Sequence, residues 1–113
     1  MNTKEDLTYR AINAVNFIQY SDSSIVSKQL IKKETGTITL FAFDKAQSLS
    51  EHTAPFDAFV QVVDGKGEFI IGGKSTIVSK DEFILLPANI PHSVNAIEKF
   101  KMIIIMIKDQ IKS

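Results

Sequence analysis

The chain contains no cysteine, which excludes disulfide bridges, thiolate metal sites and a cysteine nucleophile together. It has no excess of either charge. Thirteen basic residues balance thirteen acidic ones and no block of one sign stands out, so the basic patch that a phosphate backbone would call for is missing and nucleic acid is not an expected partner. Nor is there a long apolar run: Met102 to Ile107 is six residues, against the roughly 20 that a membrane-crossing helix requires, so no membrane is expected either. The segment Met1 to Arg10 is too polar for a secretory h-region, which makes the cytoplasm the expected compartment. No internal repeat, low-complexity tract or linker interrupts the sequence. At 113 residues it has room for about one small domain, not for separate cofactor and substrate modules. Its 44% hydrophobic and 23% charged residues are what an ordinary globular interior needs, which excludes a disordered tail.

Residues 1–24 read as an N-terminal arm and 25–113 as the main body. In the arm, Leu7, Tyr9, Ile12, Val15 and Phe17 lie among polar residues, and Thr3 followed by Asp6 is a weak capping-box start. A short helix and an irregular arm both remain open. From Ile25 the pattern changes to short β-branched and aromatic runs: 25–31, 37–43, 58–63, 68–71, 75–78, 82–86, 93–97 and 100–107. These read as strands. Asp64-Gly65-Lys66-Gly67 and Gly72-Gly73 supply the positive φ angles of tight hairpins, so neighbouring strands are expected to be antiparallel. With no long amphipathic helix between runs, the pattern predicts a sandwich or barrel rather than a parallel α/β sheet.

Two runs carry more apolar surface than one core face uses. In the last, Phe100, Met102, Ile104 and Met106 line one side while Ile103, Ile105 and Ile107 make the other equally apolar; Leu40 to Phe43 pose the same problem. Something must cover the second face. A twofold homodimer would do so, and so would the N-terminal arm folding back.

Histidine is scarce as well: His52 lies in Ser50-Glu51-His52-Thr53-Ala54-Pro55 and His92 in Pro87-Ala88-Asn89-Ile90-Pro91-His92. Taken singly, each reads as an ordinary strand-end imidazole. Together they carry a resemblance. From about Ala46 to Ala96 the chain resembles the cupins, small β-barrels of the double-stranded β-helix (jelly-roll) type. One cupin motif is Gly, five residues, His-x-His, three or four residues, Glu, six residues, Gly; here the spacing holds Ala46, His52-Thr53-Ala54, Ala58 and Gly65. The other is Gly, five residues, Pro-x-Gly, two residues, His, three residues, Asn, and here it reads Asp81, Pro87-Ala88-Asn89, His92 and Ala96. The fold expected is therefore an all-β cupin barrel with a short N-terminal arm or helix.

The resemblance implies a divalent metal (Zn, Fe, Mn or Ni) held by four side chains. This sequence offers His52 and His92, while Ala54 stands for the second histidine and Ala58 for the glutamate. If His52 points inward, strand alternation turns Ala54, Ala58, Val60 and Val62 inward too, which describes a pocket wall. Asp57 and Gln61 then point outward, and Asp57 replaces the glutamate only if Pro55 introduces a bulge. Two imidazoles alone hold a divalent ion weakly unless water or a chelating ligand completes the shell. Phe56, Phe59, Met102 and Met106 are candidates to shape the cavity or simply to fill the core. Glu98, Lys99 and Lys101 read as a charged turn facing water, and Asn95, one place short of the closing asparagine of the family, as pointing outward.

Three functions follow. The first is binding of a small organic ligand in a pocket of His52, His92, Ala54, Ala58, Val60 and Met102, with the histidines as polar anchors. The second, implied by the resemblance, is a metal-dependent enzyme (dioxygenase, isomerase or decarboxylase on a small acid or sugar derivative) with an incomplete ligand set. The third is a structural or partner-binding barrel with remnant histidines. The fold alone does not choose among them.

Overall fold

Residues 6–108 are described by the structure, a computed structural model. Thr3, and with it the capping-box reading, lies outside the described residues. Within them the elements run α1 (Ala14–Phe17), β1 (Ile25–Lys33), β2 (Gly36–Phe43), β3 (Ser48–His52), β4 (Phe56–Ile71), β5 (Lys74–Ser79), β6 (Phe83–Leu86), β7 (His92–Asn95) and β8 (Phe100–Lys108). The strand order is β1-β2-β8-β4-β7-β3, with β5 and β6 also pairing β4.

One strand organises the rest. Ala58, Val60 and Val62 are buried in the first part of β4, Gly67 and Phe69 in the second, so the buried parity changes from even to odd. A bulge between Val62 and Asp64 makes the change, because an extra residue moves every later side chain to the opposite face. Gly65 follows just after it at φ +69°, where a Cβ would collide with the Lys99 carbonyl. The first part of β4 pairs with β8 and β6 and the second with β7 and β5, all antiparallel. The reading of Asp64-Gly65-Lys66-Gly67 as a hairpin is therefore corrected: these residues bend one strand from one sheet into the other. At Gly72-Gly73 the expected hairpin does form, with Ile71 opposite Lys74 and both glycines at positive φ, as a tight turn of this kind demands.

Side chains from both sheets close on one core. Phe43 stacks on Phe100 at 4.5 Å between ring centroids, and Phe69 meets Phe100 edge-on at 6.2 Å. Val60, Val62 and Met102 are buried with them. Strand β3 was not anticipated, since Leu49 is its single apolar residue and a run of one carries no periodic signal.

The arm answers part of the question of the second face. Asn13 caps α1 by accepting a hydrogen bond from the Asn16 amide, which is ordinary N-cap chemistry. Beyond it Ile18, fully buried, packs with Leu40 and Ala42, and Phe17, Tyr20 and Ile103 close around them. Lys101 was expected in water; instead it is 5% exposed. Its ammonium donates to the Val15 carbonyl and lies 4.7 Å from the centre of the Tyr20 ring, and the Tyr20 hydroxyl donates to Asp64 at 2.7 Å. The arm thus supplies the carbonyl and the π face that let a lysine be buried. Farther along the outer face, cross-strand pairing sets Leu85, Phe59, Ile105, Ile38 and Ile31 in one row. Ile107, Phe83 and Leu85 stay 58–60% exposed there.

Ala46, Asp81 and Asn89 all have positive φ, and they occupy three positions where the cupin motifs carry glycine. Glycine would adopt this conformation without strain. Left-handed geometry costs a residue with a Cβ about 1–2 kcal/mol, less for asparagine or aspartate, which tolerate it. Ala46→Gly is therefore expected to stabilise by about 1 kcal/mol, a rise in Tm of about 4 °C for a domain this size, while Gly65→Ala lowers Tm; thermal melts of both variants check the pair.

Candidate functional site

His52 ends β3 and His92 begins β7, and the two are directly opposed across that strand pair. The register shifts between Leu49 and His52, so both reach the cavity despite their unlike parity. Behind His92, the 87–91 loop is tied down at three points. The Ala88 amide donates to the Asp57 carboxylate at 2.9 Å. The Asn89 amide donates to the Ala54 carbonyl and the Gly72 amide to the Pro91 carbonyl, each at 2.8 Å. Asp57 points away from the cavity, as alternation requires, and serves this loop.

The two imidazoles meet edge to face, 4.4 Å between centroids. Each Nδ1 is bonded to the backbone carbonyl two residues earlier: His52 to Ser50 at 2.9 Å and His92 to Ile90 at 3.2 Å. A carbonyl oxygen only accepts, so both Nδ1 atoms carry the proton. In the neutral ring Nε2 is then the bare acceptor. His92 is buried and His52 exposed. Burial holds the His92 imidazole below the ordinary histidine pKa; the Ile90 carbonyl opposes that and the nearby His52 adds to it.

They stand on the wall of a cavity of about 150 Å³. Ala54, Ala58, Val60 and Met102 line it with them, as do Phe56 and Met106. Phe59 does not: it stacks on Phe83 at 5.0 Å on the outer face, where its odd number on β4 places it. Val62 lies in the core below the cavity, and Asn95 faces Glu68, to which it donates at 3.1 Å. Sequence reading missed several lining residues, among them Thr39, Phe41, Leu49 and Phe69. Thr39 and Phe41 were legible in principle, since they alternate with Leu40 and Ala42 along β2; Leu49 was not, because its strand was not seen.

A barrel with inward histidines at both motif positions agrees with the match of residues 39–108 to the family model for the cupin domain. The chain belongs to the cupin family. It resembles a cupin 2 conserved barrel domain protein from Leptotrichia buccalis, with 45% identity and a TM-score of 0.84 over 86% of this chain. It spans only about half (47%) of that protein's length. The conserved SPY1581 protein of unknown function from Streptococcus pyogenes superposes with a TM-score of 0.89 at 27% identity, covering 97% of this chain and 95% of that one. A cupin superfamily protein from Desulfitobacterium hafniense, at 20% identity over 96% of this chain and 100% of that one, has a TM-score of 0.87 and supports the fold alone. No curated protein matches.

The donor set of this cupin does not fit a firmly held metal. The Nδ1–H tautomer is the one a ligating histidine uses, but no carboxylate and no third imidazole lines the cavity. Among the described residues no group of three or more His, Cys, Asp or Glu comes together. Ala54 and Ala58 stand where the family places its other two ligands, and a methyl group offers no lone pair.

The depressed pKa of His92 has a thermodynamic consequence. Between its folded value and the ordinary 6.5 the unfolded chain binds more protons than the folded one, so stability rises with pH in that window. Put the other way, the contribution is present above pH 6.5 and is lost as pH falls through the folded pKa. Urea midpoints measured from pH 5 to 8 are expected to climb toward pH 6.5 and level off above it, with a shallower climb in His92→Leu.

Proposed function

We propose that this cupin binds a small organic molecule inside the barrel, with His52 and His92 as its polar anchors. The observation that carries this is the pair of imidazoles 4.4 Å apart in a wall otherwise dominated by aliphatic and aromatic side chains. Such a combination, mostly apolar with a few convergent polar groups, is what small-molecule sites use. The alanines at 54 and 58 fit the same reading, since they trade ligating groups for space. Titrating small neutral aromatic and aliphatic fragments into the labelled protein should shift the resonances of Ala58, Val60 and Met102, and His52→Ala with His92→Ala should weaken that response about tenfold or more. A fragment series that leaves all three resonances unmoved would remove the proposal.

A metal-dependent reaction would use the same two Nε2 atoms, so it is separated by composition. Elemental analysis of protein purified without chelator is expected to give well under one equivalent of Zn, Fe, Mn or Ni, unaltered by replacing either histidine. A full equivalent that disappears in His52→Ala would favour the enzyme instead.

The uncovered row on the outer face supports a homodimer, because exposed apolar area of this kind is usually an interface. Sedimentation at micromolar concentration should show a dimer, and Phe83→Lys combined with Leu85→Lys should give a monomer. A monomeric parent protein refutes it.

A further inference from the structure

The same cavity restricts what kind of molecule it admits. Its polar groups are Thr39, His52 and His92, and its lining holds no lysine, no arginine and no carboxylate. An anion placed there would meet no lysine or arginine, and its only cationic partner would be an imidazole that takes up a proton, which burial of His92 opposes; a cation would meet no carboxylate. The lining therefore favours a neutral ligand.

The imidazoles narrow the class further. Because the Ser50 and Ile90 carbonyls hold both protons on Nδ1, each neutral ring turns an acceptor, not a donor, toward a guest. A guest with only acceptors of its own, such as an ether or a ketone, would set lone pair against lone pair. A hydroxyl or N–H satisfies the site. Size sets the third limit: a largely apolar cavity of about 150 Å³ takes a molecule on the scale of benzene. Phe41, Phe56 and Phe69 in the wall offer edges and faces to an unsaturated ring.

Resting on the ligand-binding reading above, we infer that the cupin cavity selects an uncharged, compact, largely apolar molecule bearing a hydroxyl or N–H donor, of which phenol is the simplest example. The donor gives its hydrogen bond to Nε2 of His92 or His52 while the ring displaces poorly held water from the apolar wall. Small carboxylic acids, present as carboxylates near neutral pH, are rejected by the same two nitrogens. Selection thus runs against acidic ligands.

Calorimetric and ligand-observed NMR titrations of the full chain at pH 8, after chelator treatment, decide the matter with four probes: phenol, toluene, benzoate and Zn²⁺. Phenol is expected to bind at least about tenfold more tightly than toluene, which lacks the donor, and than benzoate, which carries the charge. His52→Leu with His92→Leu should bring phenol and toluene level. Equal affinity for phenol and toluene, or benzoate as the tightest, would overturn the donor class and leave the pocket itself standing. Phenol and toluene both failing to bind would overturn the pocket and this inference with it. Zinc held stoichiometrically and lost on replacing the histidines would also overturn it, by giving both Nε2 atoms to a metal. Should the double variant fail to fold, the ranking of the probes on the unaltered protein is sufficient.

Discussion

The extra residue between Val62 and Asp64 is the constraint on which the two-sheet architecture depends. A regular strand presents one face to one core, and β4 would then serve a single sheet. The bulge reverses its inward parity between Val62 and Gly67. The same strand therefore carries Val60 toward β8 and Phe69 toward β7, while Phe100 packs against Gly67 from the far side. Glycine at 65 is required twice over, by its positive φ and by the nearness of the Lys99 carbonyl. Closure of the barrel around a cavity follows from that single change of phase.

The site is a by-product of closure. β7 pairs with β4 on one side and β3 on the other, and this alone brings residue 52 opposite residue 92. The hydrogen bonds that hold the imidazoles are local, each to a carbonyl two residues back. Orientation is thus set by short segments, whereas proximity is set by the fold. The cavity sets two imidazoles in a mostly apolar wall with no carboxylate in its lining, and the barrel fold by itself fixes no activity.

Much of this was legible beforehand. Alternation along 58–63 and 100–107 separated inward from outward residues, and it placed Ala58, Val60, Met102 and Asp57 on the sides where the structure has them. It puts Phe59 outward too, where Phe59 stacks on Phe83 instead of shaping the cavity. The Asp64 to Gly67 segment misled because glycine-rich residues between apolar runs describe a hairpin and a bulge equally well; only partner strands on both flanks distinguish them. Lys101 misled for a different reason: a lysine beside Glu98 and Lys99 looks solvated, and nothing local reveals that Val15 and Tyr20, more than eighty residues away, will enclose it.

Sequence by itself determined the all-β class, the motif spacing that marks a cupin, the inward parity of the wall and the alanines at positions 54 and 58, because each of these is written in residue type and short-range period. Tertiary structure alone decided that the arm covers part of the outer face, that β3 exists, that β4 serves two sheets, and that His52 and His92 meet with each Nδ1 held by a backbone carbonyl. Those depend on which distant segments pair, and pairing is chosen by the burial of whole surfaces rather than by the letters on either side.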